Sequence, residues 1–283
     1  MNRVKTWVLI AALGGLFVLL GEWIFGGGSG LVIGLLFGFG FNFAMYWFSD
    51  RIAIATSRSK PVTEQEYPRL YAIVRELTAA KGMPMPRMYV SEMAQPNAFA
   101  TGRNPQHAAV AVTKGLLQIV DDRELRAVLS HELSHVTNHD ILIGSVAAGI
   151  AMSITFLARF AFFFGGSDDR NNSFGPFAFL ISWIVAPLAA GLIQMAISRS
   201  REFQADESGA HLSHDPEALA SALRKLDAYS KKIPAPASVG PAEAHLFIVN
   251  PLTGRNVQFR NLFSTHPPTD QRIERLEAMA SKL

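Results

Sequence analysis

Four long apolar stretches constrain this chain more than any other feature of its sequence. They cover residues 7–25, 31–48, 141–164 and 177–197. Each is close to the roughly 20 residues with which an α-helix crosses ~30 Å of hydrocarbon. The chain of 283 residues is 49% apolar and 17% charged, with a mean hydropathy of +0.19, which is too apolar for a typical soluble domain. The stretches therefore predict four transmembrane helices.

The first two stretches are separated only by the glycine-rich residues 26–30, which predicts a transmembrane hairpin within residues 1–50. Residues 1–30 also have the basic start and apolar run of a signal peptide. No small-residue cleavage site follows, however, and Glu22-Trp23 is typical of a helix end at the membrane interface. We therefore prefer the hairpin, and we expect residues 141–197 to form a second transmembrane pair.

The distribution of lysine and arginine predicts the orientation of these helices. Of 26 basic residues, two precede the first stretch, 11 lie in residues 51–140 and 11 lie in residues 199–283. The loop at 165–176 carries Arg170 alone. Because basic residues are retained on the cytosolic side, both termini and both large segments should be cytosolic, in the inner membrane if the cell has two. The same retention explains the net charge of +3 without a nucleic-acid partner.

The two cytosolic segments, 51–140 and 198–283, have the sequence patterns of a mainly helical domain with a small sheet. Capping residues and apolar periodicity predict helices at 63–81, at 121–139, up to 212, from 216 and from 267 to the C-terminus. Short strand-like runs lie near 87–91, 97–101 and 108–113. The proline-rich residues 233–242 read as a mobile linker.

Residues 131–135 read H-E-L-S-H inside the second predicted helix. Positions i and i+4 share a helical face, so His131 and His135 can bind one metal ion with Glu132 beside it. Zinc with three protein ligands and one open position lowers the pKa of a water molecule, whose proton Glu132 can transfer. The chain has no cysteine, so any metal must bind His, Asp or Glu. The alternative is a helix whose two histidines contact only solvent or carbonyl groups.

A third ligand would distinguish a metal site from a chance motif. The extended pattern H-E-x-x-H-x-x-G-x-x-H fails at Asn138, and His139 lies ~12 Å from His131 along the helix axis. Glu202 lies five residues after the fourth apolar stretch, and His135 lies six before the third. Both therefore emerge within about two helical turns of the cytosolic membrane face, where neighbouring antiparallel helices meet. The alternative for Glu202 is a solvated surface charge.

Asp206, one helical turn beyond Glu202, could orient a ligating histidine through the free N–H of its ring. A solvated carboxylate is the alternative here too.

Four motifs together resemble the HtpX family of bacterial membrane zinc metalloproteases, which are relatives of the CAAX prenyl endopeptidases. They are H-E-L-S-H-V-T-N-H-D-I at 131–141, S-R-x-x-E-F-x-A-D at 198–206, T-H-P-P-T-D-Q-R-I at 265–273 and P-N-A-F-A-T-G-R at 96–103. The resemblance covers nearly the whole chain. It implies a zincin-like domain with one zinc ion per chain, held by His131, His135 and Glu202, and Glu132 as the catalytic acid and base. It also implies quality control of misfolded or damaged membrane proteins.

The resemblance extends to three further features of the site. Asn97, Ala98 and Phe99 are similar to the edge strand that binds extended substrate in many H-E-x-x-H proteases. His266 and Arg272 could each approach the zinc site as an oxyanion donor or a transient ligand. Alternatively, His266 caps the last helix and Arg272 pairs with an acid. The remaining histidines match no motif and are predicted to lie at the surface: His107, His211, His214 and His245.

Two other functions remain as alternatives to a quality-control protease. A prenyl-protein endopeptidase would use the same metal chemistry, but four apolar stretches are few for the enclosed chamber that those relatives imply. A non-enzymatic membrane scaffold or transporter element would carry the motif by chance. The stretches contain few ionisable residues beyond Glu22 and Arg159, which gives little support for an ion path. No phosphate-binding loop of the Walker type occurs, so no nucleotide partner is expected.

Overall fold

The computed structural model describes residues 27–138, 140, 199–233, 247–249 and 267–282, together with six isolated positions between 11 and 22. The apolar stretches at 141–164 and 177–197, most of the stretch at 7–25, nearly all of the 233–242 linker and His266 lie outside these residues.

The second apolar stretch lies within one long helix, α1, which covers Gly27–Thr56. Gly27–Gly30, predicted as part of a turn, form the first helical turn, and the helix continues past the predicted end at Phe48. The continuation is explained by packing, because Ala53 is buried against Phe99 and Ala111. Large apolar side chains of α1 face outward, among them Leu36 and Phe43 with exposed fractions of 68% and 61%. Within the described residues, no helix combines the length and apolar character needed to span a bilayer.

A four-stranded mixed sheet follows α1. Its strands are β1 (Ser59–Pro61), β2 (Arg87–Ser91), β3 (Ala98–Thr101) and β4 (Ala109–Thr113), in the order β1-β2-β4-β3. Strands β2 and β4 are parallel, and the other two pairs are antiparallel. The three predicted strands are confirmed within one residue. β1 was missed because three residues containing a lysine and a proline carry no alternating pattern. The important consequence is that β3 lies at the edge of this sheet.

The next helix, α2, covers Pro68–Ala80 and starts later than the predicted residue 63. Thr63 and Glu66 do interact at the predicted start, since the Thr63 N–H and the Thr63 hydroxyl both donate to Glu66 Oε2 at 2.8 Å. The helix nevertheless begins only at Pro68, because a proline disfavours helical backbone at the residue before it, here Tyr67.

The described residues also form the α-helices α3 (Lys114–Ile119), α4 (Asp122–Thr137), α5 (Arg199–Ser213), α6 (Pro216–Lys232) and α7 (Thr269–Ala280). Their predicted starts at the caps Asp121 and Asp215 are confirmed, and each cap accepts a backbone N–H three residues on. The six-residue α3 was not predicted. Helix α4 is buried on nearly all sides, with Leu125, Leu129 and Leu133 fully covered in the main core.

Helices α4 and α5 approach each other closely at Gly209. A Cβ atom at this position would lie 2.8 Å from both the Cα and the N atom of His131 and 3.1 Å from the carbonyl carbon of Ser130. These are backbone atoms that cannot rotate away, so only glycine permits this spacing. The contact brings the start of α5, with Glu202, against the segment of α4 that carries the two motif histidines.

Candidate metal centre

Three side chains converge where α4 meets the start of α5. His131 Nε2 and His135 Nε2 are 3.3 Å apart, and the Glu202 carboxylate lies 3.8 Å from the first and 3.5 Å from the second. Tetrahedral ligands placed about 2.0–2.2 Å from a zinc ion are roughly 3.3–3.6 Å from one another. The group therefore fits one metal ion, and all of its ligand atoms lie within 4.8 Å of one another.

The chemistry of the donors supports the same conclusion. Two imidazoles and one carboxylate suit zinc and several other divalent ions, whereas alkaline-earth ions prefer oxygen alone. His131 and Glu202 are buried, and His135 is nearly so. Three buried polar groups facing one point, away from bulk water, are costly unless a cation or protons balance them. The predicted third ligand is thus placed beside the two imidazoles.

Asp206 contacts the ring of His131 on the side away from the cluster. Asp206 Oδ1 lies 3.0 Å from His131 Nδ1, although the N–H does not point squarely at this oxygen, so the contact is mainly electrostatic. Burial of Asp206 opposes its ionisation, but the charges of Arg272 and the contact with His131 outweigh burial and lower the pKa of Asp206 to about 2. An ionised Asp206 favours the tautomer in which Nδ1 carries the hydrogen and Nε2 is free to bind a metal.

His135 has an equivalent neighbour that the sequence analysis missed. Its Nδ1 lies 3.4 Å from Asp140 Oδ2, just beyond the end of α4. Burial disfavours the charged imidazole, but the negative charges of Glu202 and Asp140 prevail and raise the pKa of His135 to about 9. An acidic residue five positions after a motif histidine was a visible signal, but it becomes informative only once the chain is known to turn back there.

Arg272 is almost completely buried, with an exposed fraction of 1%, and it forms a two-pronged ion pair with Asp206. Its Nε and Nη2 atoms donate to the two Asp206 oxygens at 2.8 Å and 2.7 Å. The guanidinium also lies 3.4 Å from His131 Nε2 and 3.9 Å from Glu202 Oε2. Arg272 was predicted either to approach the zinc site or to pair with an acid, and the geometry matches the ion pair with an acid. The same position also places the positive charge of Arg272 beside the cluster.

Glu132 connects the cluster to the sheet. Its side chain is buried, and its Oε2 accepts the backbone N–H of Ala100 at 3.0 Å. Burial raises the pKa of Glu132, and the two neighbouring imidazoles partly oppose this effect. Because Ala100 lies in β3, the bond shows that the free edge of β3 faces Glu132 rather than solvent at large. The strand predicted to bind substrate is therefore beside the proposed catalytic carboxylate.

The residues predicted for that edge strand have different surroundings. Ala98 is buried in the main core, while Phe99 packs against Ala53 on the other side. Asn97 precedes β3 and is also buried, and its side chain accepts the backbone N–H of Ile248. The segment Phe247–Val249 carries no motif that the sequence analysis could use. Substrate binding by these residues remains a prediction.

The remaining described histidines are exposed as predicted: His107, His211 and His214. The Nδ1 atom of His107 lies 2.7 Å from Asn104 Oδ1, and His107 is not part of the cluster. His245 lies outside the described residues.

One helix with two imidazoles a turn apart and a glutamate between them, joined by a carboxylate from a second helix, defines a metallopeptidase of the H-E-x-x-H class. The chain belongs to peptidase family M48, which matches residues 64–280. It is 51% identical over 280 residues to a protease HtpX homolog of Ralstonia pickettii (strain 12J), covering 99% of this chain and 97% of the relative. It is 50% identical over 285 residues to one of Pelotomaculum thermopropionicum, covering 99% and 100%. The resemblance to HtpX proteases is confirmed.

A solved structure shares the fold. The crystal structure of Ste24p from S. mikatae aligns with a TM-score of 0.54 at 18% identity. The alignment covers 97% of this chain, which spans 65% of the length of Ste24p. At this identity the likeness concerns the fold alone.

Proposed function

We propose that this metalloprotease is a zinc endopeptidase of the inner membrane that cleaves misfolded or damaged membrane proteins at their cytosolic side. The observation that carries the proposal is the convergence of His131, His135 and Glu202 beside a buried Glu132. Bound zinc would supply Lewis acidity, which activates water and polarises a peptide carbonyl.

Glu132 is the residue that moves the proton. Its carboxylate accepts a proton from the attacking water and then donates it to the amine nitrogen of the departing chain. Burial raises the pKa of Glu132, which makes its carboxylate a stronger proton acceptor for the first of these steps. The bond from Ala100 fixes one oxygen of the carboxylate.

The outer edge of β3, which faces Glu132, supports an extended polypeptide as substrate. A segment that adds to this edge as a further strand is held by backbone hydrogen bonds, which every sequence provides. Such binding requires a locally unfolded chain, because folded segments have already paired their backbone groups. Misfolded and damaged proteins supply these segments, so the geometry favours a quality-control role over recognition of one folded partner.

The membrane location is supported by the four apolar stretches, by the distribution of lysine and arginine, and by the outward-facing side chains of α1. Leu36 and Phe43, with their exposed apolar neighbours, form an apolar surface. Exposing this surface to water costs free energy, whereas contact with lipid chains does not. In this arrangement, both termini and the metal cluster face the cytosol.

Metal analysis and a casein-cleavage assay on purified wild type and Glu132→Gln test the proposal. The variant should retain about one zinc ion per chain and lose at least ~100-fold in cleavage rate, the usual contribution of a general base. Glu217→Gln, an exposed glutamate on α6, is the matched control and should cleave normally.

Three outcomes would overturn this function. Undiminished cleavage by Glu132→Gln would refute the mechanism, and wild type without metal would favour the scaffold. Cleavage that requires a lipid-modified C-terminal cysteine would favour the prenyl endopeptidase.

A further inference from the structure

The segment Phe247–Val249 is attached to the metal centre through the backbone of one residue. The N–H of Ile248 donates to Asn97 Oδ1 at 3.0 Å, and the C=O of Ile248 accepts from Arg272 Nη1 at 3.1 Å. All these groups are buried, so each bond is made out of contact with bulk water. The two side chains that hold Ile248 come from distant parts of the chain, 151 and 24 residues away.

These bonds fix the guanidinium of Arg272 from two sides. Its Nε and Nη2 are bound by Asp206, and its Nη1 is bound by the carbonyl of Ile248. A planar group held at three nitrogens cannot rotate about its terminal bonds. Arg272 in turn holds the carboxylate of Asp206 at 3.0 Å from His131 Nδ1. A continuous series of contacts therefore runs from Asn97, before the edge strand, to the first metal ligand.

We propose that Asn97 is a positioning residue whose side chain sets the orientation of His131. It holds Ile248, whose carbonyl keeps Arg272 aligned on Asp206, and Asp206 orients the imidazole. This inference deepens the proposed metalloprotease function and rests on it. It gives Asn97 a task distinct from the predicted contact with substrate, because its side-chain oxygen is already used inside the protein.

Substitution of Asn97 separates this task from strand pairing. The backbone N–H of Asn97 donates to Thr113 Oγ1, and its backbone C=O accepts the Thr113 N–H at 2.9 Å. Neither bond uses the side chain. Asn97→Ala thus removes the acceptor for Ile248 while the edge of the sheet keeps its backbone partners, and Asn97→Asp keeps an acceptor oxygen at the same place.

Asn104 offers a matched control. Its Oδ1 accepts the backbone N–H of His107 at 3.0 Å, the same kind of bond at the same length, in an exposed turn away from the cluster. Asn104→Ala should therefore reproduce the loss of one such bond without any effect on the metal.

The test measures metal affinity of the full chain by chelator competition, with Glu132→Gln present throughout to prevent self-cleavage. Neighbours of metal ligands typically change affinity about 10-fold to 100-fold. Asn97 lies three contacts beyond such a neighbour, Asp206, so Asn97→Ala should weaken zinc binding by a smaller factor, about 3-fold to 10-fold. Asn97→Asp should stay within about 2-fold of its parent, as should the Asn104→Ala control. The visible spectrum of bound Co²⁺ should shift for Asn97→Ala alone, which a purely structural role would not produce.

A double-mutant cycle tests the route. Arg272→Lys removes the guanidinium that binds both Asp206 and the carbonyl of Ile248. In this background, Asn97→Ala should change the zinc affinity by less than ~2-fold. Additive effects, an unchanged affinity and Co²⁺ spectrum in Asn97→Ala, or equal losses in Asn97→Asp and Asn97→Ala would each overturn the proposal. If Asn97→Ala fails to fold, the zinc affinity of Asn97→Asp alone decides the test. A loss of affinity of 3-fold or more in Asn97→Asp would then overturn the proposal. A parent protein that binds no metal would instead refute the proposed function.

Discussion

Replacement of Gly209 by alanine tests whether the spacing of two helices creates the metal centre. In a helix interior, Gly→Ala normally stabilises by about 1 kcal/mol. Here the new Cβ would lie 2.8 Å from two backbone atoms of His131. Comfortable contact requires ~3.5–4.0 Å, so α4 and α5 would have to separate by about 0.7–1.2 Å.

This separation has two measurable consequences. Overpacking of this kind costs about 1–3 kcal/mol, which cancels or exceeds the helix-propensity gain, so we expect a net loss of up to ~2 kcal/mol in the free energy of unfolding. Glu202 lies two helical turns before Gly209 on the same helix and moves with it. A displacement near 1 Å takes its carboxylate out of ligand distance, and misplacement of this size costs on the order of 100-fold in activity.

The assays are urea unfolding, zinc affinity by chelator competition, and casein cleavage, each compared with Gly40→Ala. Gly40 also lies in a helix, but a Cβ there would meet nothing within 4 Å, so its substitution should be neutral or slightly stabilising. If Gly209→Ala matched the control in stability, zinc affinity and cleavage, close helix contact would not be what assembles the site.

Two further predictions concern acid stability and topology. Because the pKa of Asp206 is lowered from 3.8 to about 2, its stabilising contribution is complete above pH ~4 and disappears as the pH falls towards 2. The difference in unfolding free energy between wild type and Asp206→Asn, on the order of 2 kcal/mol near neutral pH, should shrink over this range in chelator-treated protein; a constant difference would contradict the ion pair. The chain contains no cysteine, so single cysteines report topology cleanly. In spheroplasts, Ser167→Cys should react with a membrane-impermeant maleimide, and Ser281→Cys should react only after lysis; the opposite pattern would invert the topology.

Local signals in the sequence predicted most of the described elements and the centre of the site. The caps at Asp121 and Asp215 depend on residues within three positions, so their helices begin where expected. The spacing of His131 and His135 is likewise a local helical property. Glu202 could be paired with them only by combining the apolar stretches with the rule that antiparallel neighbours pack together, and by the resemblance to HtpX proteases.

The parts that the sequence did not reveal depend on contacts between distant residues. The bond from Ile248 to Asn97 joins positions 151 residues apart, and no pattern of residue types links the two. Helix α2 starts at Pro68 and not at residue 63, because the steric effect of Pro68 on Tyr67 outweighs the favourable bond between Thr63 and Glu66. The extension of α1 to Thr56 is a tertiary effect of burying Ala53 against the sheet.

The measurement that tests the central claim most directly is the zinc content of two gently purified proteins that both carry Glu132→Gln. One has native Glu202, and the other has Glu202→Ala in addition. The three-ligand cluster predicts about one zinc ion per chain in the first and a large loss of zinc from the second after dialysis against a weak chelator. Equal zinc contents would contradict the claim that the Glu202 carboxylate and the two imidazoles bind the same ion.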